Sequence, residues 1–274
     1  MKLTRPTEAR LYLERERAGP ESFELAGGSA VVFSARSPGQ ATPNEDAVAL
    51  IPFDATSAVL AVADGVGGHQ AGGRAAALAI RSLRDGLAAA ARQGGSLRTA
   101  ILDAIERAQE GVGALGGGAA TTLAAVELQG GILRPYHVGD SAVLVVGQRG
   151  KLKLQTVAHS PVGFAVEAGL LDARDALHHE ERHVVSNVLG AGNMRLEIGS
   201  SRRLDPRDTV LVASDGLFDN LHLEELVEAI RSGPIEPAAR ELAEACRRRM
   251  AGAEGRNPSK PDDLSFILFR RSRA

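Results

Sequence analysis

The sequence predicts an α+β fold: antiparallel β-sheets with pairs of helices packed against their outer faces. Two observations predict it. Apolar segments run in the order strands, two helices, strands, two helices, strand, and the long βαβ alternation of a doubly wound parallel sheet is missing. No repeat or low-complexity linker divides the 274 residues. One domain is therefore expected over residues 28–274, after a poorly specified lead-in over residues 1–27.

The first apolar runs are Ala30–Ser34, Ala47–Ile51 and Val59–Ala63. Each is bounded by Gly, Pro, Asp or Asn, so each reads as a strand. Gly72 to Ala91 follows as a helix; Arg81, Arg84 and Asp85 interrupt its Ala-rich apolar face, which marks it as amphipathic. Ser96 is placed to cap a second helix, and Gly116-Gly117-Gly118 to end it. Ala120–Leu128, Ile132–Val138, Ala142–Val146 and Leu152–Val157 are separated by turn signals and read as an antiparallel meander. Residues 160–195 are mixed. Strands over Leu196–Ser200 and Thr209–Ser214 come next, then helices over Leu223–Ser232 and Glu236–Met250. Gly252–Pro261 reads as a polar loop, and Leu264–Phe269 as a closing strand.

Bulk properties narrow the function. Aromatic residues are 3% of the chain and Trp is absent, so the core must be built from Ala, Val, Leu and Ile. A formal net charge of −2 argues against nucleic acid as the main partner. Cys246 is the only cysteine, which excludes an intramolecular disulfide and a Cys-based zinc site. It lies in a helical segment and reads as a packed thiol, not a nucleophile. The charged N-terminus lacks the apolar core of a signal peptide, and there is no run of about 18 apolar residues to span a membrane. A cytoplasmic setting without membrane contact is expected.

A recurring local design carries the chemistry. Val59–Ala63 ends in Asp64-Gly65, Val210–Ser214 ends in Asp215-Gly216, and Pro135–Val138 ends in Gly139-Asp140. Asp262-Asp263 stand just before the last strand. One Asp-Gly pair is an ordinary turn. Repeated copies at strand ends suggest carboxylates that converge at one sheet edge. Converging carboxylates repel unless a cation lies between them, and an all-oxygen set suits Mg²⁺ or Mn²⁺. The Gly-rich run from Asp64 to Gly72, which holds His69, could present main-chain atoms to a metal or phosphate.

These pieces resemble the metal-dependent serine/threonine protein phosphatases of type 2C, the PPM family, in a bacterial-type form. The matching segments occur in the family's order: Asn44-Glu45-Asp46, Asp64 to His69, Gly118 to Thr122, Gly139-Asp140-Ser141, His159-Ser160, Ser214 to Asp219, and Asp262 to Ser265. Residues 167–190 resemble the family's flap, within a flap-like segment of about 160–195. The resemblance implies a four-layer αββα sandwich. It implies that Asp64 bridges two Mg²⁺ or Mn²⁺ ions and that the Gly65 carbonyl faces one of them. Asp215 and Asp262 would complete the other site, and Glu45 would hold metal-bound water. Asp140 and Asp219 would form a third, weaker site. Asp46 and Asp263 would support the ligands from behind, and His69 would order the Gly loop. Two metals about 4 Å apart lower the pKa of a bridging water, so the implied reaction is hydroxide attack on a phosphoserine or phosphothreonine.

Three positions depart from the family. Ala41 stands where an Arg grips the substrate phosphate in many members, which leaves Arg36 and Arg74 as candidates for that role. Val66 replaces a His of the animal enzymes, and Ala142 replaces the Arg after Gly-Asp-Ser. The implied partners are phosphoproteins made by a Ser/Thr kinase, met by a monomer. A phosphoprotein-binding module without turnover and a hydrolase of small phosphoesters are the alternatives. His178, His179 and His183 read as exposed surface, and His159 as a local hydrogen-bonding residue.

Overall fold

The structure is a computed structural model that describes residues 8–14, 16, 19–66, 70–252, 255 and 257–272. Its strands are β1 (Arg10–Leu13), β2 (Glu21–Leu25), β3 (Gly28–Ala35), β4 (Ala47–Pro52), β5 (Ser57–Ala63), β6 (Gly65–Val66), β7 (Ala120–Thr121), β8 (Leu123–Gln129), β9 (Ile132–Val138), β10 (Ala142–Val146), β11 (Leu152–Gln155), β12 (Glu197–Ile198), β13 (Arg202–Arg203), β14 (Thr209–Ala213) and β15 (Leu264–Arg271). Its α-helices are α1 (Gln70–Gln93), α2 (Leu97–Leu115), α3 (Pro161–Glu167), α4 (Ala173–Ala176), α5 (Asp215–Phe218), α6 (Leu223–Ile230) and α7 (Ile235–Met250), with a 3₁₀ turn at Glu180–His183.

Two antiparallel sheets lie face to face. One has the order β1-β4-β5-β8-β9-β12, with β13 also on β9; the other is β11-β10-β14-β15-β3-β2. Val48, Leu50, Leu60, Val62 and Val126 from the first meet Val143, Val210, Val212 and Ile267 from the second in an aliphatic layer. The opposite face of the first sheet packs on α1 and α2 through Ala76, Ile80, Leu83, Ile101 and Ile105. The opposite face of the second packs on α6 and α7 through Leu226, Ile230, Leu242 and Cys246. The strands are apolar along nearly their whole length because both faces of each sheet are covered, the pattern expected when a sheet is buried twice. This is the four-layer αββα sandwich.

Element ends follow local chemistry. Ser96 caps α2, accepting from the Thr99 amide, and Gly116 ends the helix at φ 65°. Three expectations need correction. The lead-in contributes two strands: β1 pairs with β4 and β2 with β3. In β1 Tyr12 is buried between the sheets while Leu11 and Leu13 pack partly buried on the helix side; in β2 Phe23 and Leu25 alternate with Ser22 and Glu24, and that period of two buries one face. The meander is not continuous either. β9 belongs to one sheet and β10 to the other, so the chain crosses between layers at Gly139-Asp140-Ser141. Gly139 makes the crossing at φ 101°, where an added Cβ would lie 2.6 Å from the Thr122 side chain. Last, the strand expected over Leu196–Ser200 shrinks to Glu197–Ile198.

Candidate metal centre

Strand register brings the acidic residues together. Ala47 pairs with Ala63, so Asp46 enters β4 beside the point where Asp64 leaves β5. Ala142 pairs with Ala213, so Asp140 enters β10 beside the point where Asp215 leaves β14. Ala213 also pairs with Phe266, which sets Asp262 and Asp263 next to Asp215. The carboxylates therefore meet at the common end of both sheets, where the sequence reading placed them at one sheet edge.

Charge coupling reports the same convergence. Asp64 is held well above the ordinary carboxylate range, first by burial and then by Asp215, Asp46, Asp262 and Asp140. Burial and the neighbouring Asp215 push Asp140 up to about 8 and, against the pull of Lys260, Asp262 to about 7 and Asp219 to about 6. Asp46 is raised too, by burial and Asp263. Buried oxygens Asp46 Oδ1, Asp140 Oδ1 and Asp215 Oδ1 have no hydrogen-bond partner. Unsatisfied, mutually repelling oxygens are costly without a cation, and an all-carboxylate donor set suits a hard divalent ion. The residues present fit such an ion.

The frame around them is built from backbone contacts. The Asp64 amide donates to Thr122 Oγ1 at 3.0 Å, and its carbonyl accepts from Thr121 Oγ1 at 2.7 Å and from the Thr122 amide at 2.9 Å. Thr121-Thr122 thus fixes the main chain that aims Asp64. Asp263 accepts from the amides of Ser37 at 2.7 Å and Glu45 at 2.6 Å, which holds the Asn44-Glu45-Asp46 turn and leaves Asp263 in a supporting place. Gly65 lies against the first turn of α1; a Cβ there would be 2.3 Å from the Gly72 carbonyl carbon. Gly73 in that turn faces Glu45.

Of the other candidates, Arg36 pairs with Glu16 at 3.4 Å and reaches Asp263 only electrostatically. Arg74 is exposed on α1. His69 lies outside the described residues. The structure adds four residues that the sequence reading missed. Lys260 Nζ sits among the carboxylates, 2.5 Å from Asp215 Oδ2, 2.8 Å from Asp219 Oδ2 and 3.1 Å from Asp262 Oδ2. Asn220, fully buried, brackets the Lys260 main chain. Arg182 and Arg174, the latter paired with Glu224 at 3.5 Å, line a cleft of about 350 Å³ together with Asp140, Asp215, Asp219, Val162, Phe218 and Leu221. A lysine beside an Asp pair in a polar loop carries only a faint sequence signal.

His137, His159 and Glu197 also bring ligand atoms within 4.8 Å of one another. Hydrogen bonding excludes His159 as a ligand there. The Gly139 amide donates to His159 Nδ1 at 3.1 Å and Asn187 Nδ2 to the same atom at 2.7 Å, so the proton is on Nε2 and goes to Glu197. His159 is a strut behind the Asp140 turn, the local bonding role expected of it. His178, His179 and His183 are exposed, as expected.

The pattern of the family described as protein phosphatase 2C matches residues 37–253. The chain belongs to that family. Asp64, Asp140, Asp215 and Asp219 fall inside the matched stretch; Asp262 follows it and is placed by β15. A putative protein phosphatase 2C-type of Streptococcus pyogenes is 29% identical over 62% of this chain and 72% of its own. The serine/threonine protein phosphatase PstP of Mycobacterium tuberculosis is 31% identical over 75% of this chain, which spans 39% of PstP. Among solved structures, the PstP catalytic domain in complex with two manganese ions superposes with a TM-score of 0.70, at 26% identity, over 89% of this chain and 98% of that one. By membership in the family this chain is a protein phosphatase of the bacterial type.

Proposed function

We propose that the chain hydrolyses phosphoserine and phosphothreonine in proteins with the help of bound Mg²⁺ or Mn²⁺. The observation that carries this reading is the meeting of Asp64, Asp215 and Asp262 at the common strand ends, beside buried carboxylate oxygens that lack partners. Asp64, the Gly65 carbonyl, Asp215 and Asp262 would hold two ions, with Glu45 and Asp46 around them. Asp140 and Asp219 are the candidates for a third. The manganese ions of the PstP catalytic domain support the choice of metal. When bound, such ions supply a water-derived nucleophile near neutral pH and neutralise phosphoryl charge.

This chain's own residues do the positioning. Thr121 and Thr122 fix Asp64, and Asp263 fixes Glu45. Arg182 puts positive charge in the cleft beside Asp140, Asp215 and Asp219, where an anionic phosphopeptide would lie, and Arg174, paired with Glu224, lines the same cleft. Val162, Phe218 and Leu221 offer apolar surface to residues flanking the phosphate. Residues 28–274 act as one catalytic domain, with 160–195 as its flap and the first strands completing the sheets. The substrates are proteins phosphorylated by a Ser/Thr kinase, and the enzyme works as a cytoplasmic monomer. No helix among the described residues is long and apolar enough to cross a membrane.

The test is release of phosphate from phosphoserine and phosphothreonine peptides. Turnover is expected with Mn²⁺, and none with chelator or in Asp64→Asn. Wild-type protein that takes up Mn²⁺ yet cleaves only small phosphoesters, or nothing, would overturn the reading.

A further inference from the structure

Lys260 stands inside the carboxylate centre with all three ammonium donors directed at carboxylates: Asp215 Oδ2 at 2.5 Å, Asp219 Oδ2 at 2.8 Å and Asp262 Oδ2 at 3.1 Å. The side chain is only 20% exposed. Its place is fixed from behind. The Lys260 amide donates to Asn220 Oδ1 at 2.9 Å and its carbonyl accepts from Asn220 Nδ2 at 2.9 Å. Asn220 is held in turn by the Gly216 carbonyl at 2.9 Å and by Arg249 at 3.2 Å. A fully buried amide that grips both sides of one lysine is a device for placing that lysine.

The oxygens that Lys260 takes belong to Asp215 and Asp262, which the proposed function assigns to divalent ions. A Mg²⁺ or Mn²⁺ ion must approach such oxygens to about 2.1 Å, and two cations that close together repel strongly. We propose that Lys260 is a tethered competitor of the divalent ions: it neutralises part of the carboxylate charge of the centre, and an ion binds Asp215 and Asp262 fully only as the ammonium withdraws. There is a place to withdraw to. Lys260 also borders a crevice lined by His178, His179, Glu180, Arg182 and His183, where Glu180 offers another carboxylate. The inference rests on the proposed metal-binding role of the centre and adds a built-in limit on its affinity.

The test is isothermal titration of metal-free, full-length protein with Mn²⁺, comparing wild type, Lys260→Met and Lys260→Arg. Removing the competing charge at the same side-chain length should tighten Mn²⁺ binding by roughly tenfold or more, whereas Arg, which keeps the charge, should not tighten it. Lys260→Met should also melt below wild type in chelator and recover the wild-type melting temperature at saturating Mn²⁺. A lysine with a merely structural role would lower both. Equal Mn²⁺ affinity in wild type and Lys260→Met would overturn the inference. If Lys260→Met does not fold without metal, amine acylation of wild type read by mass spectrometry decides. Labelling of Lys260 relative to exposed Lys151 should rise on adding Mn²⁺, and unchanged labelling would overturn the inference. Failure of wild type and variants alike to bind Mn²⁺ would instead overturn the metal reading itself.

Discussion

The Ser214 hydroxyl donates to Asp46 Oδ2 at 2.9 Å, across the gap between the two sheets. Ser214 follows β14 and Asp46 precedes β4, so this bond ties the layers together directly beneath the carboxylate centre. The same hydroxyl accepts from the Ser265 amide at 3.2 Å. Ser214→Ala leaves a buried carboxylate without its donor and a buried amide without its acceptor. A loss of about 1–3 kcal/mol is expected, the usual cost of such orphans. Urea unfolding measures it; a change under about 0.5 kcal/mol, the range of an inert surface substitution, would contradict the assigned role.

The acidic centre also sets a pH dependence. Asp140, Asp262 and Asp219 have folded-state values near 8, 7 and 6, all above the ordinary 3.8. The metal-free folded state therefore holds protons that the unfolded chain has already released. Where the native state binds more protons, stability falls as pH rises. These groups favour folding below about pH 4 and weaken it progressively up to about pH 8. Metal-free protein should melt at a higher temperature at pH 6 than at pH 8, and the stabilisation by Mn²⁺ should be larger at pH 8. Calorimetry in chelator at the two pH values checks the first; a melting temperature that rises from pH 6 to 8 would contradict it.

Asp64, Asp215 and Asp262 were legible in the sequence because each marks the end or start of a long apolar strand. A strand buried on both faces has few other places for a carboxylate. Helices α1, α2, α6 and α7 are legible from their apolar spacing, and α2 also from its Ser96 cap. What was hidden depends on contacts distant in sequence. β1 and β2 are short, and Arg10, Glu21, Ser22 and Glu24 interrupt them, so their apolar pattern is brief. The crossing at Gly139 reads as a turn because the segment itself does not say whether β10 pairs with β9 or, as it does, with β14. Lys260 reads as one more residue of a polar loop, because Asn220, the side chain that holds it, lies 40 residues earlier, after the α5 turn. Arg182 lies in an exposed stretch rich in His and Glu, and only the fold turns it toward the cleft.

Gly216 separates packing from chain flexibility. A Cβ on this residue would stand 1.9 Å from the Asp263 carbonyl oxygen and 3.5 Å from Asp262 Cβ. Gly192 has open space around its Cβ position. Gly216→Ala must therefore push Asp262-Asp263 away from Asp215, at a cost of about 1–3 kcal/mol from overpacking. Gly192→Ala should stay within about 0.5 kcal/mol of wild type. Denaturant midpoints give both values. Mn²⁺ affinity should fall only in Gly216→Ala, and a normal affinity there would show that Asp262 does not need its present position.

Arg182 links the flap to the loop that carries Lys260. Its guanidinium donates to the Leu177 carbonyl at 2.5 Å and to the Ser259 carbonyl at 3.2 Å, while its charge lowers the affinity of Asp219 for protons. Leu177 follows α4, and Ser259 immediately precedes Lys260. The α4 segment from Asp172 to His183 has no buried residue, so few apolar contacts hold it down. Segments with little burial open locally at small free-energy cost, and amide exchange reports that opening. Arg182→Ala should speed exchange at the amides of His178 to His183 several-fold while β14 and β15 stay protected, because those strands are buried between layers. It should also raise KM for a phosphopeptide more than it lowers kcat, since the residue lines the cleft without supplying a carboxylate to the centre. Unchanged exchange in this stretch would mean that the flap is held by something other than Arg182.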